Sequence, residues 1–392
     1  MTRVLVVDDS RFMRTVIDNA LTGSGYEVET AVNGTDALET MSAFDPDVVT
    51  MDVEMPEMDG IEAVERIMAT NPTPIVMLSA YTEAGAEATL DALERGAVDF
   101  LSKPDGSGSR NVAHLVDELV DKVDALDDAD VSSLAVARTT STARAVRSTQ
   151  SGQVTASGTV TSTGNDGVDS KPSASPTGTQ SAQTPTVRPV DVPTESDAEP
   201  TIVVGASTGG PKIVEHVLER LPLELGAKLL IVQHMPAAFT ERFAQRLETV
   251  SEYDVREAAD GDRIGPGEVA VAPGGAHLQV SNNVGGNLRL RLDDDDPVHG
   301  VKPSIDVTMQ SVADRVADPI CGVVLTGMGR DGAAGIEAID AAGGYTIAQD
   351  EETSPVFGIP CQAIRTGCVD DIVPATELVE KITATFTGET YD

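Results

Sequence analysis

The chain contains no tryptophan, and aromatic residues fill only 3% of its 392 positions. Its core must therefore be aliphatic, the composition of buried parallel strands. Positive charge is scarce too: Lys and Arg number 27 against 64 Asp and Glu, giving a net charge of −37. Without a basic stretch there is no footprint for nucleic acid, and the same acidity disfavours adsorption to anionic lipid. So acidic a surface suits a halophile, whose salty cytoplasm screens the self-repulsion. The three cysteines, Cys321, Cys361 and Cys368, form no C-x-x-C pair and no disulfide framework. No apolar run approaches the ~18 residues of a membrane span. No charged-then-apolar leader precedes the first strand, so a cytoplasmic protein without direct membrane insertion is expected.

What is present is an α/β pattern in two blocks. Residues 1–126 alternate strand signals (RVLVVDD, YEVETA, PDVVTMD, PIVMLSA, AVDFLSK) with amphipathic helices. Met13, Val16, Ile17, Ala20 and Leu21 share one helical face, as do Val112, Leu115, Val116, Leu119, Val120 and Val123. This predicts a five-stranded parallel sheet of flavodoxin-like form. Residues 127–199 turn to Ser, Thr, Ala, Gly and Pro and cannot bury enough surface to fold, which predicts a flexible linker. Residues 200–392 resume the strand–helix alternation and predict a Rossmann-like, doubly wound α/β domain.

Three apolar runs of this second domain stop beside residues that ester hydrolysis needs. TIVVGA ends at Ser207, KLLIVQ at His234, and CGVVLTGMGR at Asp331. Sites in open parallel sheets gather beyond the carboxyl ends of the strands, so three strand ends could bring nucleophile, base and orienting carboxylate together. Blander readings stand beside each. Ser207, in GASTGGP, could cap a helix or cradle a phosphate, and Asp331 could be a helix N-cap. A histidine at the end of a buried strand is often a satisfied core residue. His114 and His216 fall on helices and are expected to be solvated, whereas His277 and His299 lie in loop-like segments that pattern alone does not dismiss. Cys321 opens a strand and reads as core packing.

The first domain collects a different set. Asp8 and Asp9 end its first strand, Asp52 its third and Ser79 its fourth, while Lys103 follows the fifth. Three close carboxylates repel one another unless a cation sits among them, and Mg²⁺ suits an all-oxygen site. This set, with DVEMPEMDG at 52–60, resembles the response-regulator receiver family. The resemblance implies phosphorylation of Asp52 by a histidine kinase. It also implies Mg²⁺ held by Asp8, Asp9, Asp52 and the backbone carbonyl of Glu54, phosphoryl contacts from Ser79 and Lys103, and an aromatic switch at Phe100.

GASTGG, QHMP, PGGAH, PSIDV, LTGMGRDGAAG and VFGIP together extend the resemblance to the whole chain, to the chemotaxis protein-glutamate methylesterase family. It implies a triad of Ser207, His234 and Asp331, an oxyanion donor in the Met328 backbone N–H and a supporting hydroxyl in Thr208, with no cofactor at the esterase site. The substrates implied are glutamyl methyl esters, and selected glutamines, of methyl-accepting chemotaxis receptors; a chemotaxis histidine kinase is the implied phosphodonor. The sequence departs from the family at His299, where many members carry Asn, and at Val301, where many carry His. The 127–199 linker is longer than the family leads one to expect, which would lower the effective docking concentration about tenfold. Three other readings compete: a phosphorylation-dependent scaffold with a silent esterase fold, a DNA-binding regulator and a dinucleotide enzyme. The second conflicts with the charge, and GASTGG lacks the G-x-G-x-x-G spacing that the third needs.

Overall fold

A computed structural model describes residues 1–80, 82–103, 109–127 and 199–387; most of the expected linker lies outside these. The first domain has strands β1 (Arg3–Val7), β2 (Glu27–Ala31), β3 (Val48–Asp52), β4 (Ile75–Ala80) and β5 (Asp99–Lys103). They pair in parallel in the order β2-β1-β3-β4-β5. Val4–Val7 and Val48–Met51 are buried throughout, as strands covered on both faces must be. The helix Arg11–Gly23 starts at Ser10, whose side chain caps the Met13 amide, and buries Ile17 and Leu21. The expected face of the helix Ser109–Leu126 turns inward through Leu115, Leu119 and Val123.

The second domain is built on β6 (Thr201–Ala206), β7 (Lys228–Gln233), β8 (Asp254–Glu257), β10 (Glu268–Val271), β13 (Ile320–Val324), β14 (Tyr345–Gln349) and β15 (Asp371–Val373). These form one parallel sheet in the order β15-β14-β13-β6-β7-β10-β8. The chain's first strand here, β6, lies between β13 and β7, so successive connections leave in both directions and open a crevice at its end. Cys321 is fully buried in β13, as core packing requires.

Strand–helix alternation does not hold throughout this domain. β9 (Arg263–Ile264), β11 (His277–Val284) and β12 (Asn287–Asp293) form a separate antiparallel sheet in the order β11-β12-β9. The signal was present: Gly285 and Gly286 are the two residues between alternating strands, and both have positive φ (60° and 77°), as a type I′ hairpin turn demands. Lys228, wholly buried, ties this turn to the main sheet, its Nζ donating to Gly286 O (3.1 Å) and Asp318 Oδ2 (2.7 Å). The described parts of both domains belong to one compact unit.

Candidate active site and its receiver

The register of the central strands sets the candidate site of the second domain. Ala206 pairs with Gln233, so Ser207 and His234 leave neighbouring strands at the same level, and β13 flanks β6 on the other side to deliver Asp331. His234 Nε2 lies 2.9 Å from Asp331 Oδ2. Asp331 is buried and also accepts from Ser304 Oγ (2.7 Å), Ile305 N (2.6 Å) and Asp306 N (3.1 Å). Burial pushes its pKa up, but the bond to His234, the bond from Ser304 and the Ile305 amide outweigh that and hold it below the usual carboxylate range. Asp331 is not the N-cap of the helix that follows it, Ala333–Ala341, which has Gly332 there; its carboxylate instead takes the first two amides of the helix Ile305–Arg315.

Around Ser207 the backbone is packed too tightly for side chains. A Cβ on Gly327 would lie 2.6 Å from Ser207 Cβ, so glycine lets the Met328 loop reach Ser207. Gln233 Nε2 donates to Ser207 O (2.8 Å), and Thr326 O accepts from Ser207 N (3.0 Å). Among the described residues Ser207 Oγ and Met328 N make no hydrogen bond, which leaves both free for a substrate. The Ser207–His234 bond itself is not formed here.

The other histidines separate cleanly. His114 is exposed, as expected. His216 is not solvated: it is half-buried, Arg220 Nη1 lies 3.0 Å from its Nε2, and burial, reinforced by Arg220 and Lys212, lowers its pKa to about 4. His277 opens β11 and is a satisfied core residue, with Nδ1 accepting from Ser304 N (3.1 Å) and Nε2 donating to Asp296 O (3.1 Å). His299 accepts from Arg330 Nε (3.1 Å) and sits 3.1 Å from Asp306 Oδ2. Asp306 was not expected. Its Oδ1 accepts from Gly332 N (2.8 Å) and Gly335 N (2.7 Å) and so anchors the loop that carries Asp331.

In the first domain Asp8, Asp9 and Asp52 bring carboxylate oxygens within 4.8 Å of one another. Lys103 Nζ lies 2.8 Å from Asp8 Oδ2 and 2.7 Å from Asp52 Oδ1. Burial lifts the Asp52 carboxyl to about 6, with Lys103 opposing and Asp8 and Asp9 adding to the rise. Asp8 Oδ2 is buried without a well-formed hydrogen bond, so this all-oxygen donor set fits a hard divalent cation. Gly60 is required by contact, since a Cβ there would sit 2.0 Å from Asp52 O, while Asp59 caps the helix Gly60–Thr70 through Glu62 N. Ser79 Oγ donates to Gly85 O (3.0 Å), and Glu54 is exposed.

The two domains meet at the loop that follows Ser207. Thr208 Oγ1 donates to Asp99 Oδ2 (2.5 Å), Gly209 N to Val98 O (3.1 Å) and Lys212 Nζ to Glu94 O (3.2 Å). Phe100 stacks on Phe239, with ring centroids 4.3 Å apart. Arg246, on the helix Ala237–Val250, joins Glu215 (3.0 Å) of its own domain to Glu94 (3.0 Å) and Asp91 (4.0 Å) of the other. None of these contacts was foreseen from sequence.

Comparison with known proteins agrees with this architecture. Residues 202–382 match the CheB methylesterase family and residues 4–109 the response regulator receiver domain. A protein-glutamate methylesterase/protein-glutamine glutaminase of Halobacterium salinarum is 47% identical over 97% of this chain and 98% of its own length. Its counterpart in Natronomonas pharaonis is 48% identical over 98% of both. The crystal structure of the Thermotoga maritima CheB methylesterase catalytic domain is 38% identical, covering 47% of this chain and 98% of that one, with a TM-score of 0.46. The chain therefore belongs to the family of protein-glutamate methylesterases/protein-glutamine glutaminases, a receiver domain joined to a methylesterase domain.

Proposed function

We propose that the protein hydrolyses glutamate γ-methyl esters on methyl-accepting chemotaxis receptors, releasing methanol in the cytoplasm, and deamidates selected receptor glutamines. The observation that carries this reading is the His234–Asp331 pair, fixed by three further donors on the carboxylate, at the level where Ser207 leaves the adjacent strand. With Nε2 directed at Asp331, the proton belongs on Nε2, and Nδ1 is left to take the Ser207 Oγ proton. Ser207 attacks the ester carbonyl, and the Met328 N–H stabilises the oxyanion. His234 returns its proton to the departing methoxide, and water cleaves the acyl-enzyme by the same route. In deamidation the leaving group is ammonia.

Activity is set by phosphorylation of Asp52 by a chemotaxis histidine kinase. Asp8, Asp9, Asp52 and the Glu54 carbonyl would hold Mg²⁺, which would supply positive charge to offset that of an incoming phosphoryl group. Lys103 and Ser79 receive the phosphoryl oxygens; Ser79 must first leave Gly85 O. Phe100, one residue after Asp99 on β5, connects this end of the receiver to the esterase. The test is methanol release from methylated receptor membranes in molar KCl. Ser207→Ala should abolish release, and Asp52→Asn should abolish its stimulation by a small phosphodonor. No release from phosphorylated wild-type protein would refute the esterase reading.

A further inference from the structure

Two hydrogen-bond donors flank the nucleophile, and both are taken by the receiver. The Thr208 hydroxyl holds the Asp99 carboxylate at 2.5 Å, and the Gly209 N–H holds the Val98 carbonyl at 3.1 Å. Thr208 is 1% exposed, Val98 1% and Asp99 8%, so these bonds lie in a dry interface. Lys122 also pairs with Asp99 and the Phe100 N–H donates to it (2.8 Å), so the buried carboxylate is held by three partners. Gly209 is the N-cap of the helix Gly210–Arg220, so its N–H has no intrahelical acceptor, and its positive φ of 78° sets the direction of that N–H.

The groups held here are a carboxylate and the peptide carbonyl preceding it. A demethylated glutamyl residue presents the same two groups, and a methylated one presents an ester carbonyl in place of the carboxylate. We propose that Thr208 Oγ1 and Gly209 N–H form a substrate-binding subsite for the acidic segment being demethylated, and that Val98–Asp99 occupies it as an internal product mimic. The inference rests on the esterase reading above but differs from simple obstruction. The receiver competes for specific donors, and substrate takes them over when β5 withdraws. Thr208 and Gly209 position the substrate; the bond-making groups remain Ser207 and His234.

The test uses the full chain, with Thr208→Val as the main variant. Valine keeps the shape and leaves the Asp99–Lys122 pair intact, but it removes the donor. Two effects of opposite sign should follow. Methanol release from unphosphorylated protein should rise several-fold, because the receiver loses a charge-assisted bond worth about tenfold in docking. In the phosphorylated protein the KM for a methylated acidic peptide should rise about tenfold with kcat held, again the effect of one bond. The demethylated peptide should inhibit phosphorylated wild type competitively and Thr208→Val more weakly. Asp99→Asn, which weakens the mimic but leaves the subsite whole, should raise basal release without changing that KM. Unchanged basal release in Thr208→Val, or an unchanged KM, would overturn the proposal. Phosphoryl uptake at Asp52 and methanol release by wild type, measured alongside, separate this failure from failure of the esterase reading.

Discussion

Asp52, at the carboxyl end of its strand, and Asp331, in the loop beyond another, are both buried, and their acidities move in opposite directions. Asp52 is lifted to about 6, whereas Asp331 is held below the ordinary range. Burial is the largest influence on both, and on both it raises the pKa. The difference lies in the neighbours. Asp331 accepts from an imidazole, a hydroxyl and two backbone amides. Asp52 has one ammonium, shared with Asp8, and two more carboxylates within 4.8 Å. Fixed donors make a permanent anion, suited to orienting a histidine. A carboxylate among carboxylates favours a bound cation, which is what the proposed phosphorylation site would need. The lesson is that donor count, not burial, decides which role a strand-end aspartate takes.

The contrast can be broken most severely at Asp331. Asp331→Asn should lower phosphorylated methanol release about 10⁴-fold by favouring the wrong tautomer of His234. Phosphoryl uptake at Asp52 should be unaffected, since the receiver site shares no residue with it. A finer cut is Ser304→Ala, which removes one of the donors. The Asp331 pKa must then rise, so the acid limb of the rate–pH profile should shift to higher pH, with a loss of about tenfold at the plateau. An unmoved limb would show that the amides alone suffice.

Phe239→Ala tests the link between the two sites. Losing the ring against Phe100 removes about 1 kcal/mol of aromatic contact, so basal release should rise about fivefold while the fully phosphorylated rate stays level. A last effect, on stability and not on rate, is expected in acid. His216 protonates at 6.5 when unfolded but only near 4 when folded, so the stability it allows at neutral pH is lost as pH falls from 6.5 towards 4. The gap bounds the loss at about 3 kcal/mol. His216→Gln should flatten this part of the esterase melting curve and leave the receiver transition in place.

Much of this was legible because the signals are local. The strand ends at Ser207, His234 and Asp331 each follow an apolar run, and the carboxylate cluster is spaced strand by strand. Register then does the rest, since a parallel sheet aligns ends that the sequence keeps far apart. What escaped is non-local. Asp99 reads as one residue within an ordinary strand signal, and its partner Thr208 lies 109 positions away. Asp306 follows Ser304, a helix N-cap, and so resembles a first-turn acid; its acceptance of the Gly332 and Gly335 amides appears only when two helices meet. The β11–β12 hairpin was readable from its two glycines but was absorbed into the expectation of alternating helices.

Arg246 gives the interface one further property. It is a single guanidinium set among Glu215, Glu94 and Asp91, on a chain whose net charge is −37. In molar salt the screening length is about 3 Å, so the two acidic bodies scarcely sense each other and short contacts alone hold them together. In dilute buffer the length grows to roughly 30 Å at 0.01 M, and repulsion acts across the whole contact. The same protein assayed in fresh water would come undocked and look unregulated. Regulation by the receiver is therefore expected to require salt, which basal methanol release compared at 0.01 M and molar KCl would check.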